Sequence, residues 1–120
     1  MKGFTHTVTD LDIENEYPKL VRDRIPEIIM MEDGRKVPVK ILNDAEFERR
    51  LRQKAIEEAT ELAEAETDEH LLEEIADVRE ILDELERFKG FSAEQVKKVQ
   101  DQKRARRGGF HKRVLMLRND

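Results

Sequence analysis

From Asp44 onward, apolar residues recur every three or four positions, and turn residues divide the pattern into three runs. Phe47, Leu51, Ala55, Ala59 and Leu62 sustain the first run behind Asn43, which has the spacing of a capping box with Glu46, and predict a helix of about six turns. Thr67-Asp68 marks its end. Leu71, Ile75, Val78, Leu82 and Leu85 predict a second helix from about Glu69 to Phe88, stopped by Lys89-Gly90. Ser92 with Gln95 opens a third, from Ala93 to about Arg106, closed at Gly108-Gly109. Upstream, Pro26 suits a first helical position, and "IPEIIMMEDG" reads as a short helix ending at the Asp33-Gly34 turn.

Two segments break the helical period. "KVPVKIL" alternates Val37, Val39 and Ile41, with Pro38 confining any strand to an edge, and "FHKRVLMLR" is strand-like. Pairing 37–42 with 110–117 as a small two-stranded antiparallel ribbon is the economical expectation. Residues 1–16 alternate weakly in "FTHTVTDLDI" and read as an edge strand, an arm lying on a partner or a loose terminus. The expected architecture is all-α: an antiparallel helical bundle carrying that ribbon, with 1–16 as an N-terminal arm and 17–120 as a single helical domain.

Composition agrees with this picture. Charged residues make up 42% of the 120 positions and aromatics 5%, a profile of water-washed helices rather than a β-sandwich. With no cysteine, any chemistry rests on carboxylates, amines, hydroxyls or the three histidines. Neither an apolar leader after Lys2 nor a run near the roughly 20 residues of a membrane span is present, so a cytoplasmic protein without membrane contact is expected. The formal charge of −5 argues against stable nucleic-acid binding, but its sign is segregated. Between Lys97 and Arg113 stand eight basic residues against one acid, Asp101. Such a segment suits an anion.

The acids of the first two helices are the unusual feature. At about 100° per residue, Glu58 falls about 20° from Leu51, inside the apolar stripe, while Glu61 sits at its edge and Glu57 and Glu64 point outward. On the second helix Glu74 lies beside Leu85 and Ile81, and Asp77 flanks Ile81 and Phe88. A carboxylate facing a core costs several kcal/mol unless it is paired, protonated or bound to a metal. In a hairpin about Thr67-Asp68, residue 58 stands level with 77 and 61 level with 74. Glu58, Glu61, Glu74 and Asp77 would then converge, and four anions on oxygen ligands point to Mg²⁺ or Mn²⁺.

With those residues in place, "EEATE" at 57–61 and "EEIAD" at 73–77 resemble the EExxE…ExxD signature of the MazG-like all-α nucleotide pyrophosphohydrolases. "YPKLVRDRIPEII" and "KRARRGGFHKR" look like the flanking blocks of the phosphoribosyl-ATP pyrophosphohydrolase-like branch, which extends the likeness over about residues 17 to 117. The resemblance implies Mg²⁺-dependent hydrolysis of a nucleoside triphosphate or related nucleotide to monophosphate and pyrophosphate, with Glu58, Glu61, Glu74 and Asp77 as ligands. It gives Glu57 and Glu58 as catalytic candidates, with Glu57 a base, a supporting group or a surface partner of Lys54. It also implies a homodimer or homotetramer, a reasonable expectation because a lone hairpin cannot cover its own stripe. Basic groups would hold the phosphates: Lys19, Arg22 and Arg24 upstream, and Lys103, Arg106 and Arg107 before Gly108-Gly109. These glycines are either a helix cap or a place where phosphate approaches the backbone.

Two alternatives remain beside this reading: a non-catalytic helical module whose acids meet a basic partner, and the histidine-biosynthesis step on phosphoribosyl-ATP itself. His6, His70 and His111 form no ligand set of recognisable spacing and read as surface residues. Met30, Met31 and Met116 read as gap-filling core residues.

Overall fold

The structure, a computed structural model, describes residues 17–120; the expectations for the arm at 1–16 and for His6 lie outside the described residues. Four helices account for the regular structure among them: α1 (Ile25–Asp33), α2 (Asp44–Glu64), α3 (Asp68–Lys89) and α4 (Ala93–Arg107). Contacts divide the chain into two compact units, one reaching to Leu85 and one of Glu86–Asp120.

Local signals set the helix ends. Pro26 lies in the first turn of α1, where its missing N–H is not needed, and Gly34 ends the helix at φ 70°, its N–H donating to the Met30 carbonyl at 3.0 Å. A side chain at Gly34 would meet open space, so the left-handed backbone is what asks for glycine. Asn43 Oδ1 accepts from the Glu46 N–H at 2.9 Å to start α2, although the Glu46 carboxylate lies 3.5 Å from Lys40 Nζ rather than returning to the cap. Thr67 Oγ1 accepts from the His70 N–H at 3.1 Å at the head of α3. Only α4 has a complete capping box: the Gln95 N–H donates to Ser92 Oγ at 3.0 Å, and the Ser92 N–H to Gln95 Oε1 at 2.7 Å. Gly108 closes it at φ 83°, with its N–H on the Arg104 carbonyl at 2.8 Å.

In the first unit, the short link at 65–67 turns α3 back along α2 as a hairpin. Along α2 Leu51 and Thr60 are buried and Phe47, Ala55, Glu58, Glu61 and Leu62 half-buried, close to the stripe expected from the sequence, except that Ala59 is exposed and Thr60 takes an inward place. Leu51, 2% exposed, is the single fully buried apolar side chain among the described residues. On α3 the inward face is different from the one expected. Glu74 is buried and Asp77, Val78, Ile81 and Leu85 are half-buried, whereas Leu71, Ile75 and Leu82 keep 36%, 38% and 47% of their surface. The helix is rotated so that a carboxylate, not the leucines, faces α2. The block before α1 is tied to the hairpin twice, by Arg22 Nη2 on Asp77 Oδ1 at 2.8 Å and by Arg50 Nη1 on the Pro18 carbonyl at 3.3 Å.

The expected ribbon is not formed: no strand occurs among the described residues, and 37–42 and 110–117 are irregular. Pro38 removes a ladder donor, and a two-stranded ribbon alone is marginal in water. Val39 and Ile41 face solvent, as do Phe110 and Val114 to Leu117, so Met116 is not a core residue here; Met30 and Met31 are exposed as well. In the second unit α4 buries no residue and is mostly charged, with Val96 half-buried and Val99 exposed. No helix of the described residues is long and apolar enough to cross a membrane.

Candidate metal centre

Glu58 and Glu61 sit one turn apart on α2 and so project from one face, toward Glu74 of α3. Each offers a carboxylate oxygen, and these three oxygens lie within 4.8 Å of one another. Glu58 and Glu61 are half-buried, while Glu74 is 5% exposed, and its Oε1 is buried with no hydrogen-bond partner. A buried acceptor without a donor is costly, about 1–3 kcal/mol and more when charged. Its Oε2 stands 3.3 Å from His70 Nε2, one turn back on α3.

The crowding is visible in the ionisation of Glu58. Burial pushes its carboxyl from the ordinary 4.5 up to about 7, reinforced by contact with the Glu74 side chain and by the charges of Asp77 and Glu74; the Lys54 ammonium opposes the rise. With all these acids ionised, Glu74 Oε1 lacks a donor, and a proton on Glu58 is the protein's own means of relieving the pair. A hard divalent cation is the other means. The donors are all oxygen, as such ions require, and three carboxylates leave coordination positions for water and phosphate. An all-oxygen donor set with one orphaned buried acceptor is compatible with a hard divalent cation and singles out no particular ion.

Other expected site residues are distributed more widely. Asp77 stands near enough to raise Glu58 but lies outside the cluster of three, engaged at 2.8 Å by Arg22. Glu57 is paired with Lys54 at 3.3 Å, both largely buried, which matches the surface-partner alternative except in its burial. Arg24 is held locally by Glu27 at 3.0 Å, and Lys19 Nζ lies 5.2 Å from the centre of the Tyr17 ring. Lys103, Arg106 and Arg107 belong to the second unit, where they line an open groove with Val99, Gln102 and Ala105. Gly108 acts as a helix cap.

On the sequence His70 reads as a surface residue, yet its Nε2 lies 3.3 Å from Glu74, the buried carboxylate of the described residues. The available signal was its placement four residues before Glu74, which puts the two on one helical face. No family model, curated protein or solved structure matches this chain.

Proposed function

We propose that the protein is a Mg²⁺- or Mn²⁺-dependent nucleotide pyrophosphohydrolase of the MazG-like all-α type. The observation that supports it most is the trio of Glu58, Glu61 and Glu74 oxygens within 4.8 Å, one of them on a carboxylate that is 5% exposed and has an unpartnered atom. Burying Glu74 in this setting has no structural gain of its own: Leu71, Ile75 or Leu82 could occupy an inward position without any desolvation penalty. A site for a cation explains the exchange.

In this reading Glu58, Glu61 and Glu74 hold the ion, and Asp77 borders them. The ion supplies Lewis acidity, neutralising phosphate oxygens and acidifying water in the site. The chain's own groups do the rest. Arg22, fixed by Asp77 and still 58% exposed in its side chain, is placed to meet an anion at the rim of the cluster. The carboxyl of Glu58, near 7 without metal, would be held ionised by a bound cation, so binding of the ion is expected to release its proton. Lys54 holds Glu57 and lowers the charge penalty at Glu58. Water attacks the α-phosphorus, the α–β bridging bond breaks, and a nucleoside triphosphate yields monophosphate and pyrophosphate. Lys19 and Arg24 are proposed to contribute to phosphate binding in the first unit, and Lys103, Arg106 and Arg107 are proposed as a separate anion-binding group of the second.

The exposed apolar residues of α3 favour a homodimer or homotetramer as the working form. A substrate panel tests the function. With Mg²⁺ or Mn²⁺, at least one nucleoside triphosphate or related nucleotide is expected to release pyrophosphate, and Glu74→Gln to lose 100-fold or more of that rate, on the order of the contribution of an essential charged group. An absence of turnover across the panel, with no gain in Tm from either ion, would leave the non-catalytic helical module as the better reading. Turnover confined to phosphoribosyl-ATP would instead place the protein in histidine biosynthesis.

A further inference from the structure

We infer that His70 is a positioning residue for the cation site: its imidazole holds the outer oxygen of Glu74 so that the inner oxygen is presented to the ion. The inference rests on the metal-site reading above and extends it to a residue outside the carboxylate cluster.

Three observations carry it. His70 Nε2 is 3.3 Å from Glu74 Oε2, so one of the two carboxylate oxygens already has a neighbour capable of donating. The other oxygen, Oε1, is buried and unpartnered, on a side chain only 7% exposed. Among the described residues, the oxygens that approach within 4.8 Å of one another come from Glu58, Glu61 and Glu74, and the His70 ring is not one of that group. His70 is itself anchored: its backbone N–H donates to Thr67 Oγ1 at 3.1 Å in the first turn of α3, which fixes the start of the side chain.

The physical consequence concerns orientation. A free carboxylate rotates about its last torsion and loses entropy when an ion captures it. A donor on Oε2 selects the rotamer beforehand, leaves Oε1 available, and spreads the charge that would otherwise sit buried on a bare group. Outer partners of this kind typically alter metal affinity by about 10–100-fold. As a surface histidine, half exposed at 49%, His70 would alter nothing at the site.

Mn²⁺ provides the readout, measured on the full chain by titration with EPR detection of the free ion. Wild type is expected to bind Mn²⁺, His70→Ala to bind about 10-fold or more weakly, and His70→Gln, which keeps an N–H donor near the Nε2 position, to stay within about 3-fold of wild type. Circular dichroism should be unchanged in both variants, so that a difference in binding is not a loss of the helices. Equal binding by wild type and His70→Ala overturns the inference while leaving the metal site intact; equal loss in both variants overturns it by tying the effect to the ring. Nitrogen hyperfine coupling to Mn²⁺ that disappears in His70→Ala would make the residue a direct ligand and also overturn the positioning role. If wild type itself binds no Mn²⁺, the underlying site reading fails, and the inference with it.

Discussion

Glu58 shows how a residue in the wrong place for packing becomes informative. The helical wheel already put it inside the stripe of Leu51 and Leu62, and the tertiary structure adds the reason it is uncomfortable there: burial first, then contact with Glu74 and the charge of Asp77. The sign of the effect on stability follows from the direction of the shift. The folded carboxyl titrates near 7 against an ordinary 4.5, so the folded state binds the extra proton in that window; the stabilisation is full below about 4.5 and is lost as pH rises through about 7. Metal-free protein is therefore expected to melt at a lower temperature at pH 8 than at pH 5.5 through this group. Glu58→Gln, neutral at every pH, should narrow that difference and raise the pH 8 melting temperature by a few degrees, as expected for about 1 kcal/mol. Thermal melts in chelator at both pH values check this, and a variant with the same pH dependence as wild type would contradict it.

Helix ends were legible because the interactions that make them are local. Asn43 with Glu46, Ser92 with Gln95, and the glycines at 34 and 108 bond or bend within a few residues, so no distant partner is needed to recognise them. Thr67 caps α3 in the same way, and Thr67→Ala is expected to remove about 1 kcal/mol from the unfolding free energy measured by urea titration. Packing within the hairpin is thin. Leu51 is its one fully buried apolar side chain among the described residues, so Leu51→Ala should cost about 3 kcal/mol in the same titration. A Leu51→Ala loss no larger than the cap's would mean that burial of this side chain contributes little to the fold. The strand expectation failed for the complementary reason. Alternation at Val37, Val39 and Ile41 is only a face, and a face becomes a strand only where a neighbouring strand accepts its hydrogen bonds.

At the scale of the molecule, the exposed surface of α3 is the main departure from an ordinary soluble helix. Leu71, Ile75 and Leu82 lie on the stripe that periodicity alone would bury, and the inward rotation of Glu74 leaves them in water. Self-association through this face is the proposed remedy. Sedimentation velocity is expected to show a species larger than the 14.2 kDa chain at micromolar concentration, shifted toward monomer in Leu82→Glu. Identical sedimentation of the two proteins would remove this face from any interface. By itself the sequence determined the all-α class, the approximate helix boundaries and the approach of Glu58, Glu61 and Glu74, though it grouped Asp77 with them, because capping and helical period are short-range and a three-residue link sets two helices level. Tertiary structure alone decided which face of α3 turns inward, that Asp77 is held by Arg22 from 55 positions away, and that His70 backs Glu74. Those outcomes depend on the rotation of one helix against another and on long-range ion pairs, and the energies that select them are sums over contacts that no local pattern records.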